Sequence, residues 1–343
     1  MKLGIICPSE IAIRRFMPAM EKIKEIEFVG VGVNSVKERY GNEMPDQLTV
    51  DKMIQGEREK ATNFISQYGG KIFESYEDIV KSDEIDAIYI PLPPALHYKW
   101  AKLAIENGKH VLLEKPATIE LEKTKRLVEV SKKYDVALHE NYMFSFHAQL
   151  DAIDEIISSG EIGEIRLYRI SFGFPMRAIN DFRYNKKLGG GALIDAGGYT
   201  IKYANRLLGD SAEIVCSSMN NLDGFEVDMY GSATMMNKEG LTAQLAFGMD
   251  NNYKCELEAW GSKGCLTTGR VLTAPAGMIP KIVIRKGNDD EVRDLPADDA
   301  FLKSIYRFIE SVRSRELREE NCNEIIRQAE LVNQFRMLSK NEI

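Results

Sequence analysis

Two short stretches of the sequence combine residue types that can move a proton to or from an oxygen atom. In the first, Glu114-Lys115-Pro116, a lysine lies between an acid and a proline. In the second, Gly189 to Tyr199, three glycines precede Asp195, and the tyrosine follows the acid by four residues. Residues four apart share one face of a helix. A lysine ammonium near a tyrosine favours the phenolate, so such a pair can donate or accept a proton at neutral pH.

Each stretch also has an ordinary structural explanation when it is taken alone. Lys115 could be a surface lysine beside a loop proline, Tyr199 a core aromatic residue and Asp195 a helix cap. However, both Glu114-Lys115-Pro116 and an earlier segment, Ile90 to His97, follow a strand-like run and contain proline. Parallel sheets bind ligands at the carboxyl ends of their strands. Considered together, the two segments therefore favour a functional interpretation.

The N-terminal segment predicts a strand, a turn and a helix of the kind that binds dinucleotides. The apolar run Leu3–Ile6 leads into Cys7-Pro8-Ser9-Glu10-Ile11. In most such turns, glycines let the backbone approach a pyrophosphate at the helix N-terminus. Here Cys7 and Ser9 take the first two glycine positions and Ala12 takes the third. These residues can approximate the geometry, but a turn that binds nothing is equally consistent with this segment alone.

The first 140 residues alternate between apolar runs and helical patterns, which predicts a doubly wound parallel sheet of the Rossmann type. Helices are predicted at 11–24, after Ser75, at 98–106 and at 120–134. The polar stretch 35–59 is interpreted as a partly helical insertion near the ligand-binding edge of the sheet. The predicted strands are Leu3–Ile6, Ile26–Val33, Ala87–Ile90, Val111–Leu113 and Val136–Leu138.

From Ile165 onward, apolar and polar positions often alternate, which is typical of an antiparallel sheet with one open face. We predict an α+β domain over residues 141–343, with a broad, mostly antiparallel open sheet and a final helix at 300–339 that packs back on the first domain. A homodimer or homotetramer would cover the open sheet face. The predicted strands are Ile165–Phe174, Glu213–Met219, Tyr230–Met235, Leu241–Phe247, Tyr253–Trp260 and Lys281–Ile284.

The composition is that of an ordinary globular protein and excludes several classes of function. The 343 residues carry a net charge of −7, which gives no basic surface for nucleic acid. Five dispersed cysteines fit reduced thiols better than disulfides or a zinc site, so no metal is expected. No stretch is long enough to span a membrane. The cytoplasm is the expected location, and a small molecule is the expected partner.

Taken together, the motifs resemble the glucose-fructose oxidoreductase, inositol dehydrogenase and rhizopine-catabolism (Gfo/Idh/MocA) family of NAD(P)-dependent oxidoreductases over nearly the whole chain. Many members have histidine where this chain has Tyr199, and the tyrosine form is similar to the branch of the dihydrodiol dehydrogenases and NDP-hexose 3-ketoreductases. Within that branch, residues 11–19 and 140–144 look most like the 3-ketoreductases. The resemblance is carried by Gly4-Ile5-Ile6 with Ile11-Ala12, Pro91 to His97, Gly108 to Pro116, Gly189 to Tyr199 and Tyr253 to Gly261.

The resemblance implies hydride transfer between a nicotinamide cofactor and a carbonyl or hydroxyl group of a sugar or nucleotide-linked keto sugar. Lys115 would hydrogen-bond the reacting oxygen, Tyr199 would donate or accept the proton, and Asp195 would orient substrate or tune Lys115. Substrate contacts are expected from Tyr142, His147, Arg183, Asp195 and Tyr199. Cofactor contacts are expected from Cys7, Pro8, Ser9, Glu10, Ile11, Asn34, Ser35, Pro91, Leu92, Pro93, His97, Glu114, Lys115 and Asn141.

Some alternatives remain open at this point. The second predicted strand ends at Val33-Asn34-Ser35 without an acid to bind a ribose 2′-hydroxyl, and Lys37 and Arg39 follow, so NADP is preferred over NAD. Arg183 could equally be a solvated loop arginine. The glycine-poor first turn would also suit a non-catalytic NAD(P)- or sugar-binding regulatory protein on the same fold. A dihydrodiol or aldose dehydrogenase is a further alternative.

Overall fold

The computed structural model describes residues 1–40 and 45–339, which form two compact units. Unit 1 contains Met1–Thr118, Glu122–Asn141 and Ile305–Ile325. Unit 2 contains Ile119–Leu121, Tyr142–Ser304 and the chain from Ile326 on. Each unit has its own sheet and is described separately below. In the described part of the chain, no helix is long and apolar enough to cross a membrane.

Unit 1 is built on a six-stranded parallel sheet with the order β3-β2-β1-β4-β5-β6. This strand order is that of the dinucleotide-binding fold, which confirms the predicted doubly wound sheet. Residues 71–73 were not predicted as a strand, because a three-residue strand that begins with an exposed lysine gives little apolar signal. The strands are β1 (Lys2–Ile5), β2 (Glu27–Gly32), β3 (Lys71–Phe73), β4 (Ala87–Ile90), β5 (His110–Glu114) and β6 (Leu138–Asn141).

The helices between these strands lie where they were predicted, but several differ from the prediction in length. The helix predicted at 98–106 begins at Pro94, because proline is well tolerated at the first position of a helix. Ser75 caps α4 by accepting from the Asp78 N–H at 2.9 Å, as its spacing predicts. The helical segments are Ala12–Phe16, which is a wide π-helical turn, α1 (Met17–Met20), α2 (Val36–Tyr40), α3 (Gln47–Tyr68), α4 (Tyr76–Lys81), α5 (Pro94–Glu106) and α6 (Leu121–Lys133).

The stretch 35–59 is partly helical, as predicted, since it contains α2 and the first half of α3. Residues 41–44 of this stretch lie outside the described residues. Asp46 caps α3 by accepting from the Thr49 N–H at 3.0 Å.

Unit 2 is built on an eight-stranded sheet with the order β14-β13-β12-β11-β7-β10-β9-β8. Neighbouring strands are antiparallel except for β7 and β10, which are parallel, so the predicted mostly antiparallel sheet is confirmed. Two strands were missed, β12 and the charged, largely exposed β14. The strands are β7 (Ile165–Gly173), β8 (Glu213–Asn221), β9 (Asp228–Met236), β10 (Thr242–Gly248), β11 (Lys254–Gly261), β12 (Cys265–Gly269), β13 (Lys281–Lys286) and β14 (Asp289–Asp294).

One face of this sheet packs against α8 and forms the core of unit 2. Along β9, for example, Met229, Ala233 and Met235 are buried. The helices are α7 (Ala148–Ser158) and α8 (Gly198–Leu208), with a π-helical turn at Leu193–Gly197 leading into α8. Instead of the single final helix predicted at 300–339, the chain forms α9 (Ala300–Arg313) and α10 (Arg315–Ser339). The break lies at Ser314, whose hydroxyl accepts from the Leu317 N–H at 3.3 Å and caps α10.

Candidate active site

The carboxyl ends of the strands of unit 1 lie at one edge of its parallel sheet. All the residues expected to contact a cofactor lie at the ends of five of these strands or in the segments that follow them. The structure therefore brings these residues to one edge, as the chain order predicts. They are Cys7 to Ile11 after β1, Asn34 and Ser35 after β2, Pro91 to Pro93 and His97 after β4, Glu114 and Lys115 at the end of β5, and Asn141 at the end of β6.

Glu114 ties three neighbouring strands together immediately before Lys115. Its carboxylate accepts a hydrogen bond from the Tyr89 hydroxyl of β4 at 2.7 Å and another from the Asn141 side-chain amide of β6 at 2.6 Å. Loss of water around the carboxyl raises the pKa of Glu114, and these two hydrogen bonds oppose that rise. The network fixes the end of the strand that carries Lys115.

The loop that contains Lys115 is held on its other side by His97. The peptide bond between Lys115 and Pro116 is cis. The His97 ring is fully buried, with Nδ1 2.8 Å from the Pro116 carbonyl oxygen and Nε2 2.7 Å from the Leu92 carbonyl oxygen. His97 thus joins the loop after β4 to the loop after β5. Its predicted contact with the cofactor stays a prediction.

The glycine-poor first turn is organised by Ser9. Its hydroxyl accepts from the Ala12 N–H at 3.2 Å, and its carbonyl accepts from the Ile13 N–H at 3.1 Å. Burial raises the pKa of Cys7 to about 11, although a hydrogen bond with Tyr76 opposes the rise. The thiol is therefore neutral at pH 7. A neutral residue here, followed by a helix N-terminus, is compatible with an anionic pyrophosphate.

The end of β2 is compatible with a phosphate group on the ribose. Glu38, the nearest acid that follows β2 in sequence, accepts hydrogen bonds from the N–H groups of Ser35 at 2.8 Å, Tyr76 at 3.2 Å and Glu77 at 2.9 Å. Its carboxylate is thereby engaged with the backbone. Lys37 and Arg39, on either side of it in sequence, are exposed. These charges suit a 2′-phosphate better than a 2′-hydroxyl.

In unit 2, Arg183 lies between two carboxylates. Its Nε donates to Asp195 Oδ2 at 2.6 Å, and its Nη1 donates to Asp181 Oδ1 at 3.1 Å. Burial alone would lower the pKa of Arg183, but the charges of Asp195 and Asp181 outweigh it and raise the pKa. Only 20% of the Arg183 side chain is exposed, so the alternative of a solvated loop arginine is wrong.

Tyr199 lies in a cluster of aromatic rings. Its ring centroid is 5.2 Å from that of Tyr142, 5.6 Å from that of Phe144 and 5.3 Å from that of Phe172. The start of α8 approaches this cluster closely at Gly198, where a Cβ atom would lie only 2.3 Å from the Tyr142 hydroxyl oxygen. The missing side chain lets the helix bring Tyr199 against its neighbours. Asp195 lies in the π-helical turn of this segment and Tyr199 in the first turn of α8, and their shared helical face stays a prediction.

His147 lies at the beginning of α7. Its Nδ1 accepts from the Gln149 N–H at 3.1 Å, so the ring caps the helix. Burial lowers the pKa of His147, and its Nε2 is buried without a hydrogen-bond partner. The predicted substrate contacts of His147 and of the buried Tyr142 stay predictions.

Two residues that sequence reasoning missed are part of these networks. Tyr89 holds Glu114, and Asp228 accepts from the Leu193 N–H at 2.6 Å at the start of the segment that carries Asp195. Tyr89 lies within the predicted strand Ala87–Ile90, but its partner is set by strand pairing. Asp228 lies in β9, whereas Leu193 lies 35 positions earlier in the π-helical turn before α8, so the local sequence gives no signal of their contact.

The strand order of unit 1 and the polar groups at its strand ends define a dinucleotide-binding unit, and unit 2 contains Asp195 and Tyr199, for which the family resemblance predicts roles in catalysis. Two family models match the chain. The oxidoreductase family with an NAD-binding Rossmann fold matches residues 24–142, and the GFO/IDH/MocA C-terminal domain matches residues 150–267. The chain belongs to the Gfo/Idh/MocA family and is an NAD(P)-dependent oxidoreductase that acts on CH–OH or C=O groups.

Similar proteins include reductases of nucleotide-linked sugars. The dTDP-3,4-didehydro-2,6-dideoxy-alpha-D-glucose 3-reductase of Actinomadura kijaniata is 35% identical and is matched over 98% of this chain and 94% of its own length. The enzyme of the same name from Saccharopolyspora spinosa is 33% identical, over 91% of this chain and 88% of its own. The crystal structure of KijD10, a 3-ketoreductase from Actinomadura kijaniata in complex with NADP and TDP-benzene, has a TM-score of 0.88 at 35% identity, covering 98% of this chain and 97% of that one.

Proposed function

We propose that the chain is an NADP-dependent reductase of a nucleotide-linked keto sugar, with a dTDP-linked 3-keto sugar as its substrate. The observation that carries this proposal is the match to the 3-reductases, which extends over 98% of the chain at 35% identity. The KijD10 structures include one variant in which a tyrosine is replaced and another in which a lysine is replaced. These two residues are 84 positions apart in KijD10. Lys115 and Tyr199 are separated by the same number of positions.

NADP is the cofactor that the residues of unit 1 fit. The segments after β1, β4, β5 and β6 would hold the pyrophosphate and nicotinamide portions, and Ser35, Lys37 and Arg39 would hold the 2′-phosphate. When bound, the cofactor supplies the hydride for reduction.

Side chains of the protein stabilise the charge that develops on the substrate and supply the proton. The Lys115 ammonium donates a hydrogen bond to the keto oxygen and stabilises the negative charge that develops on it. The Tyr199 hydroxyl gives its proton to the same oxygen, which together with the hydride gained at the carbonyl carbon would complete the alcohol, and the tyrosine becomes a phenolate. Asp195, held by Arg183, orients a hydroxyl group of the sugar. Solvent then returns the proton to Tyr199.

We assign cofactor binding and substrate binding to two different stretches of the chain. Residues 1–140 are the proposed dinucleotide-binding domain, and residues 141–343 are the proposed substrate-binding and oligomerisation domain. The last helix is proposed to pack back on the dinucleotide-binding domain. Five free cysteines in the described part of the chain suit the cytoplasm as the proposed location.

We propose that the chain forms a homodimer or homotetramer through the outer face of the sheet of unit 2. This face carries Tyr230, Met236 and Trp260, which are 43%, 39% and 51% exposed. Ala246 lies opposite Ser232 and Ser171 on the same face, where small side chains allow close approach. Replacing it with glutamate should convert the oligomer to a monomer in light scattering. A wild-type protein that is monomeric at micromolar concentration would contradict this proposal.

The reductase activity is tested by following NADPH oxidation with a dTDP-linked 3-keto sugar. We expect turnover with the wild-type protein and a loss of at least about a hundredfold in kcat for Lys115→Ala and for Tyr199→Phe. The matched controls are Lys52→Ala and Tyr306→Phe, which change exposed residues and should retain full activity. Turnover with D-xylose or a trans-dihydrodiol and NADP, without turnover of the keto sugar, would instead show an aldose or dihydrodiol dehydrogenase.

A further inference from the structure

The segment that carries Asp195 and Tyr199 begins without a capping side chain of its own. Its first helical hydrogen bond runs from the Asp195 N–H to the Gly191 carbonyl at 3.0 Å. The residues at this helix start, Gly191 and Ala192, have no side-chain oxygen to accept the N–H groups of the first turn. Such groups need partners when they are buried, and Ala192 and Leu193 are buried.

Asp228, from the beginning of β9, supplies the missing acceptor. Its Oδ2 accepts from the Leu193 N–H at 2.6 Å. A negative charge at a helix N-terminus is stabilised by the helix dipole. The capping interaction therefore comes from a strand residue 35 positions away in sequence.

The fit between Asp228 and Gly191 is close. Gly191 has φ of +122°, a conformation that residues with a side chain rarely adopt. A Cβ atom built there would lie 2.3 Å from Asp228 Oδ1, so the carboxylate occupies the space that the glycine leaves open. On its other side, Gly191 donates its N–H to the Arg183 carbonyl at 2.9 Å. The segment is thus held between Asp228 and the backbone of Arg183, the residue whose side chain pairs with Asp195.

We propose that Asp228 is a positioning residue for the reaction: it holds the start of the segment so that Asp195 meets Arg183 and Tyr199 takes its place in the aromatic cluster. The inference rests on the proposed function for its catalytic consequence, but its structural part concerns unit 2 alone. Burial raises the pKa of Asp228, while the hydrogen bonds from Leu193 and the charge of Arg336 oppose that rise. Removal of the carboxylate would leave the N–H of the buried Leu193 without this acceptor.

The test compares Asp228→Ala and Asp228→Asn with the wild type, at a temperature well below the melting point of each variant. We expect kcat to fall about tenfold or more for the alanine variant and less for the asparagine variant, because the amide oxygen can still accept from the Leu193 N–H. KM for NADPH should stay within about twofold. In hydrogen exchange, peptides covering 191–199 should exchange faster in the alanine variant. Asp250→Asn, which changes an exposed acid after β10, is the control and should match the wild type.

Three results would overturn the inference. They are a wild-type kcat for Asp228→Ala, unchanged exchange at 191–199, and faster exchange spread evenly over unit 2, which would indicate a general loss of stability. Failure of the proposed function would be seen differently, as an absence of turnover in the wild-type protein. Hydrogen exchange at 191–199 would then still show whether Asp228 holds this segment.

Discussion

Arg183 Nε donates to Asp195 Oδ2 at 2.6 Å, which joins the loop after β7 to the helical turn before α8. Both side chains are largely buried, with exposed fractions of 20% for Arg183 and 13% for Asp195. A guanidinium at this distance favours the ionised form of the carboxyl. Asp195 is therefore suited to accept hydrogen bonds rather than to act as the proton donor, which in the proposed function is Tyr199.

The first prediction concerns this ion pair. Arg183→Ala would leave Asp195 and Asp181 close together without their common cation. We expect kcat/KM for the keto sugar to fall at least about tenfold, because Asp195 loses the hydrogen bond that holds its carboxylate in place.

Steady-state kinetics provide the measurement, with Arg315→Ala, which alters an arginine side chain that is 81% exposed, as the control. A rise in the KM for substrate alone, with kcat unchanged, would show that Arg183 binds the substrate directly instead of holding Asp195.

The location of the candidate cofactor residues could be predicted from the sequence because parallel strands all end at one edge. Apolar runs such as Ala87–Ile90 revealed buried strands, and the residues after them had to share that edge. The charged strand β14 was missed because its residues are largely exposed and give no apolar alternation. The partners of Glu114 and Leu193 could not be predicted, since strand pairing and chain packing bring Asn141 and Asp228 to them.

The second prediction concerns the choice between NADP and NAD. Replacing Lys37 and Arg39 together with alanine should raise the KM for NADPH by about tenfold or more and leave the KM for NADH nearly unchanged. The reason is that a charge-assisted hydrogen bond to a phosphate contributes about 1.5–3 kcal/mol, and NADH has no 2′-phosphate. Lys52→Ala, in the exposed part of α3, controls for the loss of positive charge. An equal rise in the KM for NADPH and for NADH would show that these residues contribute to folding rather than to phosphate binding.

The third prediction concerns the pH dependence of stability. Glu161 accepts hydrogen bonds from Arg293 and Lys286, and these lower its pKa from 4.5 to about 2. Because the pKa is lower in the folded state than in the unfolded chain, the stabilisation is fully present above pH 4.5 and is lost as the pH falls towards 2. The pairs lie near the surface, so we expect at most about 1 kcal/mol.

Thermal unfolding of Glu161→Gln and of the wild type, measured in parallel from pH 7 to pH 3, tests this. The variant should melt at a lower temperature at pH 7, and the difference should shrink at pH 3 and in high salt. A difference that is constant across this pH range would mean that the carboxylate charge does not contribute.

The last prediction concerns the close approach of α8 to Tyr142. In Gly198→Ala, the new methyl group would lie 2.3 Å from the Tyr142 hydroxyl oxygen, so the helix or the ring must move. We expect a loss of about 1–3 kcal/mol in the free energy of unfolding, as for other overpacked cores. Because Tyr199 follows Gly198 directly, kcat should fall as well. Gly56→Ala is the matched control, since a Cβ atom at this helical position in α3 meets nothing within 4 Å and should leave stability equal or slightly higher.

A double variant distinguishes a clash with the Tyr142 hydroxyl from a general sensitivity of α8 to substitution at Gly198. Tyr142→Phe removes the oxygen that the new methyl group would meet, so Gly198→Ala should cost less stability in that background than in the wild type, and kcat should recover in part. Denaturant unfolding and steady-state kinetics of all four proteins give the coupling. If the effects of the two substitutions simply add, the contact between Gly198 and the Tyr142 hydroxyl does not set the position of Tyr199.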